Sequence, residues 1–235
     1  PKPSSAASDV YKRQAVTGAA VGFVIPAIRQ LKAISPRADV HVNVAASDEL
    51  VHDLASGKND FVLARLPRGV NPADFEIYPA RTETLKLIVR QDHPLANVEQ
   101  VTLRDLSNYE WVMQSHRAPI REAMETAFLS AGATLPTNIT NTTSLLAMIA
   151  ILVSSSAIAP LASEVPDLLL GDQVGARLKV LPLNMTIEMS PYYLLLAKGR
   201  ELSPVANRLR RLVTAALNKA CLLYTSDAAD EGLGV

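Results

Sequence analysis

The sequence predicts an α/β fold built on largely parallel sheets. Two observations carry this. Short segments that alternate at period two, or are apolar throughout, recur along the chain, as in ADVHVNVA (Ala38–Ala45) and NDFVLARL (Asn59–Leu66). Between most of them lie segments with apolar residues at helical spacing and a recognisable start or stop. Strands alternating with helices imply crossover connections, and ligands collect at the carboxyl ends of such strands.

Each element has its own signal. AAVGFVIPAIRQLKAI (Ala19–Ile34) is apolar at helical spacing, with Thr17 as a candidate cap and Pro26 predicting an irregular first half. ADVHVNVA is a strand. Ser47 opens a short helix in SDELVHDLAS, and Gly57 ends it. NDFVLARL is a buried strand, LPRGVNPAD a loop, and FEIYPA and ETLKLIVRQ are strands. VTLRDLSNY carries a short helix and EWVMQ a strand. APIREAMETAFLSA is a helix with Pro119 in its first turn and Gly132 after its end. TNITNT (Thr137–Thr142) is a strand, SLLAMIAILV a helix apolar nearly all round, and SSSAIAPL a short buried strand. LASEVPDLLL is a mixed helical turn, while ARLKVLPL and YYLLLAK are strands. SPVANRLRRLVTAALNKA (Ser203–Ala220) is an amphipathic helix with its own cap. No internal repeat or low-complexity linker appears.

The two ends read differently. SSAASDVYKRQ (Ser4–Gln14) and CLLYTSDAADE (Cys221–Glu231) have neither period. One DNA element encodes both, once directly and once as its reverse complement in a shifted frame. That element resembles the transposon adapter used to prepare sequencing libraries. Residues 1–14 and 221–235 are therefore expected to be adapter-derived and outside the fold, apart from a short helical extension to Leu223. The native segment is expected to be Ala15–Ala220, cut at both ends. It holds 20 basic and 19 acidic residues, so no broad field steers it to nucleic acid or membrane. The only cysteine, Cys221, lies in an end, which leaves no disulfide or thiolate metal site and fits a cytoplasmic protein. No apolar run approaches bilayer length.

The order of motifs resembles the effector-binding (substrate-binding) domain of bacterial LysR-type transcriptional regulators. The likeness rests on GFVIPAIRQLKAISPRADVHV, SDELVHDLASGKNDFVLA, LKLIVRQDHPLANVEQVTLRDL and TSLLAMIAILVSSSAIAPLASEV. Together they span nearly all of Ala15–Ala220. The resemblance implies a two-lobed, periplasmic-binding-protein-like (type II) α/β fold with two crossover strands. Lobe I is expected at residues 15–91 and 189–220, and lobe II at 92–188. The small effector would lie between the lobes. DNA would be met only through a winged helix-turn-helix domain missing from this chain, and a homo-oligomer (dimer or tetramer) is implied. One departure is the turn Ser154-Ser155-Ser156, which the family often builds with glycine.

Candidate ligand residues follow from helix starts and loops. Thr17 stands where a strand passes into a helix; it either holds a carboxylate or caps the helix. Ser47 is read as a cap, though the family often places this position near the pocket. Leu66 and Arg68 follow a strand and border the expected cleft, with Arg68 otherwise a solvated residue. Ser115, His116 and Arg117 leave a strand together. Arg117 suits a forked pair with a carboxylate, and His116 adds a titratable donor. The bland reading is a solvated loop. Asn141, Thr142, Thr143 and Ser144 offer more hydrogen-bonding side chains than one cap requires. His93, in DHPLA, is assigned to a turn, and Arg208–Arg211 to a solvated helix face.

No GxSxG, Walker, HExxH or GxGxxG motif occurs, and the four histidines lack metal-ligand spacing. No catalytic residue, metal or cofactor is predicted. The expected partner is a small effector, most simply a carboxylate, with no membrane. A periplasmic solute-binding protein and an enzyme on a similar fold are the competing readings. An upstream helix-turn-helix would favour the regulator, and a secretion signal the transporter component.

Overall fold

In the strand β11 (Tyr192–Ala197), Leu194 and Leu196 pack into one hydrophobic cluster and Leu195 into another. Period-two alternation does this, because successive side chains leave a strand on opposite faces. A sheet whose central strands are apolar on both faces must be covered on both. The computed structural model, which describes residues 10–172 and 174–230, shows that arrangement.

The first unit runs to Arg81 and resumes at Pro191. It contains β1 (Val10–Ala15), α1 (Thr17–Ala19), a π-helical stretch (Ala20–Val24), α2 (Ile25–Ile34), β2 (Asp39–Val44), α3 (Ser47–Ala55), β3 (Val62–Ala64) and β4 (Phe75–Arg81). After the second unit, β11 and α8 (Pro204–Asp230) complete it. Its sheet has the order β2-β1-β3-β11-β4. The β2-β1-β3 part is parallel, and β11 is antiparallel to both β3 and β4. One face carries Leu63, Tyr192, Leu194 and Leu196 under Phe23 and Leu31 of the first helical run and Leu209 and Val213 of α8. The other carries Val62, Ala64 and Leu195 under Leu50, Val51 and Leu54 of α3.

The π-helical stretch has a local cause. Pro26 has no N–H to give, and its ring crowds the carbonyl one turn back. The helix widens just before it, with the Ile25 N–H bonding the Ala20 carbonyl. At the end of α3, Gly57 adopts φ +78° and lies against the Arg200 guanidinium, 3.0 Å from where a β-carbon would sit. A side chain there would meet both a left-handed backbone and that contact.

The second unit is Thr82–Ser190. Here β5 (Thr84–Arg90) pairs on one edge with β8 (Ala159–Ala162). On the other edge it pairs with β9 (Leu178–Val180) and β10 (Ile187–Glu188). β6 (Trp111–Met113) pairs in parallel with β7 (Ile139–Asn141) and reaches the start of β8 through Trp111 and Ile158. The helices are α4 (Leu103–Leu106), α5 (Pro119–Ser130), α6 (Leu145–Ser154) and α7 (Glu164–Leu170). Trp111 is fully buried, meets Phe128 edge-on at 5.5 Å, and donates its indole N–H to the Leu106 carbonyl at 3.1 Å.

The chain passes between units twice, as expected, but the boundaries differ. They fall after Arg81 and after Ser190, where the sequence reading expects Gln91 and Glu188. β4 and β5 look like consecutive strands of one sheet, yet β5 takes all its partners from the second unit. Long-range pairing, invisible to local pattern, decides this.

The ends also differ from expectation where they are described. Val10–Gln14 pair with β2 and, at Gln14, with β3. Without a strand between them, the facing edges of β2 and β3 would leave ladder groups unpaired, and a ladder uses backbone regardless of side chain. α8 continues past Ala220 and Leu223 to Asp230, where the alanines and leucines of ACLLYTSDAAD favour helix. The expectations for residues 1–9 and 231–235 lie outside the described residues.

Trp111→Ala should cost about 3–5 kcal/mol, since it empties the core between β6 and α5. Urea denaturation followed by far-ultraviolet circular dichroism measures it. A loss under about 1 kcal/mol would contradict this packing.

Candidate functional site

In the first unit the candidate residues gather where parallel strands end. Register places Ala15 opposite both Val44 and Leu63, so β1, β2 and β3 finish at one sheet edge. The Val16 N–H closes the edge on the Leu63 carbonyl at 3.1 Å. Thr17 follows as the first helical residue and is half-buried. It is not the cap: Val16 holds that position, and no side chain bonds the first-turn N–H groups.

Ser47 is likewise inside its helix. Ala46 stands at the cap position, and the Ser47 hydroxyl accepts the Arg65 N–H at 3.1 Å. That bond ties the start of α3 to the end of β3. It uses a lone pair and leaves the hydroxyl proton available to a ligand. Leu66 is half-buried against the α3 cluster, and Arg68 is exposed beside Gly69. The structure brings Thr17, Ser47, Leu66 and Arg68 to this one edge.

The second unit repeats the arrangement. Met113 pairs with Asn141 at the ends of β6 and β7, and the Thr142 N–H donates to the Met113 carbonyl at 2.9 Å. The chain after β6 turns through Ser115, His116 and Arg117. The Ala118 N–H closes the turn on the Ser115 carbonyl at 3.1 Å. Arg117 has φ +72°, the only positive φ of a non-glycine among the described residues. Holding an arginine there costs on the order of 1 kcal/mol. All three side chains are exposed.

Within Asn141–Ser144 the roles divide. The Ser144 hydroxyl caps α6 by accepting the Ala147 N–H at 3.3 Å, and the Thr142 hydroxyl accepts the Ser144 N–H at 3.1 Å. Both oxygens are used in shaping the helix start. Asn141 and Thr143 are exposed and take no part in the cap.

Sequence reasoning missed the support beneath the Ser115–Arg117 turn. Arg121 is only 7% exposed. Its Nε bonds Glu125 Oε1, and an Nη1 N–H points at the Met113 sulfur at 3.4 Å. The same Glu125 oxygen lies 3.6 Å from His116 Nδ1. A helical wheel carried the signal: Arg121, Met124 and Phe128 share the buried face of α5. Among the described residues no cluster of three or more His, Cys, Asp or Glu could hold a metal. No helix among them is long and apolar enough to cross a membrane.

Two α/β units joined by two chain passages, each presenting polar groups where parallel strands end, define a two-lobed type II binding-protein-like domain. The chain belongs to the LysR substrate binding domain family, which it matches over residues 14–218. It is 38% identical over 159 residues to the HTH-type transcriptional regulator GbpR of Rhizobium radiobacter, covering 68% of this chain and 53% of that one. It is 27% identical over 206 residues to GbpR of Azospirillum brasilense, covering 87% and 58%. The chain thus spans about half the length of these relatives. Among solved structures it resembles the effector binding domain of QuiR in complex with shikimate, with TM-score 0.67 and coverage of 89% and 97%. It also resembles the Synechocystis PCC6803 CcmR regulatory domain in complex with 2-PG, with TM-score 0.71 and coverage of 88% and 96%. Both are 17% identical to it, so this likeness speaks for the fold.

Ser144→Ala should lower stability by about 1 kcal/mol by removing the α6 cap, while Thr143→Ala should change it by under about 0.5 kcal/mol. Urea denaturation of both variants separates them, and equal losses would contradict the division of roles.

Proposed function

We propose that this domain is the effector-sensing part of a LysR-type DNA-binding transcriptional regulator, and that its effector is a small organic acid held between the two units. The observation that carries this is the gathering of uncommitted donors at strand ends in both units. Thr17 and the Ser47 hydroxyl proton stand at one edge, and Ser115, Arg117 and Thr143 at the other. The exposed His116 ring adds a further donor. Backbone N–H groups at the start of the first helical run lack a side-chain acceptor. A carboxylate satisfies such groups, whereas an apolar ligand would bury them unpaired at about 1–3 kcal/mol each. The regulator reading is supported by the two GbpR relatives, and the acid reading by the neighbours in complex with shikimate and 2-PG.

Arg117 supplies the full charge. Its left-handed backbone sets the direction in which its side chain leaves the turn, and a forked pair with a carboxylate offsets that strain when ligand is bound. Leu66 lines the apolar side of the ligand. The effector acts by binding one arrangement of the two units, or of subunits in a homo-oligomer, more tightly than another. DNA recognition belongs to a helix-turn-helix segment that this domain does not contain. The chain's equal numbers of acidic and basic residues give it little phosphate affinity of its own.

Calorimetry with aromatic and sugar acids against their matched amides tests the reading. Acids should bind and amides should not. Arg117→Gln should weaken acid binding by roughly tenfold to a hundredfold, and Ser115→Ala with Thr143→Ala should weaken it together. Equal affinity for acids and amides would refute the carboxylate, and unchanged affinity in all variants would refute the site.

A further inference from the structure

Arg121 occupies a costly place. It is the third residue of α5, at the positive end of the helix dipole, and it is buried. A buried cation needs both its charge and its N–H groups met. One carboxylate oxygen does part of this: Nε donates to Oε1 of Glu125, whose side chain is 33% exposed. An arginine carries five N–H groups. One goes to Glu125 and one to the Met113 sulfur, a weak acceptor, at 3.4 Å. The other three, one on Nη1 and both on Nη2, meet no acceptor among the described residues.

The contacts of this guanidinium fix where it lies. Met113 is the last residue of β6, and its carbonyl takes the Thr142 N–H. The Glu125 oxygen that holds Nε is 3.6 Å from His116 Nδ1. Arg121 therefore stands among the end of β6, the Ser115–Arg117 turn and the start of α5, at the strand-end edge of the second unit. The helix start brings it no countercharge. Ala118 holds the cap position, no side chain bonds the first-turn N–H groups, and Pro119 has no N–H. Glu122, the acid of that first turn, is exposed and takes no part in the pair.

We propose that Arg121 is a second anion-binding residue of the candidate site, and that the effector carries two acidic groups, one for Arg117 and one for the free N–H groups of Arg121. This rests on the organic-acid reading of the domain and narrows it. The two arginines differ in setting. Arg117 is exposed and free to follow a ligand, whereas Arg121 is buried and held at Nε by Glu125. A guanidinium is planar, so holding Nε also limits where the N–H groups of Nη2 point. A carboxylate or a phosphate suits such donors, because it accepts two parallel N–H bonds from one guanidinium. Glu125 keeps its place while this happens, and Arg121 then bridges two anions. A lysine, as a point charge without the fork, would not serve equally.

Calorimetry of the full chain tests this with succinate, glutarate and adipate against their monoamides, and with phosphoglycolate against glycolate. In at least one pair the doubly acidic ligand should bind roughly tenfold or more tighter. Arg121→Met combined with Glu125→Gln removes the buried pair together and strands no charge, and there the advantage should fall to about threefold or less. Doubly and singly acidic ligands that bind alike in every pair would overturn the proposal while leaving the organic-acid reading in place. An advantage that survives the double substitution would overturn the role of Arg121. No binding by these or by the aromatic and sugar acids would refute that reading and the proposal with it. Nuclear magnetic resonance of the wild type decides independently of how the variant folds. The Arg121 guanidinium resonances should shift with the doubly acidic ligand and stay in place with its partner, and resonances that ignore the former would equally overturn the proposal.

Discussion

Parallel pairing in register is the constraint from which the candidate site follows. With Ala15 opposite Val44 and Leu63, three strands of the first unit must end together. With Met113 opposite Asn141, two strands of the second must do the same. Each parallel strand needs a crossover, and a crossover that starts with a helix presents a polar helix start at that edge. Donor-rich loops thus meet there because the ladder leaves them nowhere else. A one-residue slip would move every side chain of a strand to the other face. It would exchange Leu63 with Val62 and break both cores of the first unit.

Within that frame, side chains divide between building and offering. Ser144 and Thr142 spend their oxygens on the start of α6, and Ser47 spends one lone pair holding β3 to α3. Arg121 is buried and pairs with the half-buried Glu125 beside the turn that carries His116. A buried cation must be paired, so this couple fixes where the turn can lie. What remains uncommitted at the edges is a small set led by Thr17, Ser115, Arg117 and Thr143. The same logic makes the buried His93 structural, because both nitrogens of its ring are already used.

Much of this was legible in the sequence, because hydrophobic period and turn residues act locally. ADVHVNVA, the Pro26 irregularity, the Pro119 start and the apolar α6 all show in the structure where their patterns place them. The caps were misplaced by one residue at Thr17 and Ser47. A serine or threonine before an apolar run signals a helix start but not which of two adjacent residues has the extended backbone. The lobe boundary was missed because β4 and β5 are alike locally and differ only in distant partners. Val10–Gln14 lack a clean strand period, and the gap between β2 and β3 recruits their backbone. Burial of His93 was hidden because a turn motif gives no hint of what packs over it. Arg121 could have been found, since its helical position faces the core.

The proposed function rests on one organic acid being met by strand-end residues of both units. Amide shift mapping during titration with an organic acid that binds tests it most directly. The account predicts simultaneous shifts in residues 16–18, 46–48 and 65–69 of the first unit and 114–118 and 141–145 of the second. Shifts confined to one unit, or centred on the exposed Arg208–Arg211 face of α8, would contradict it.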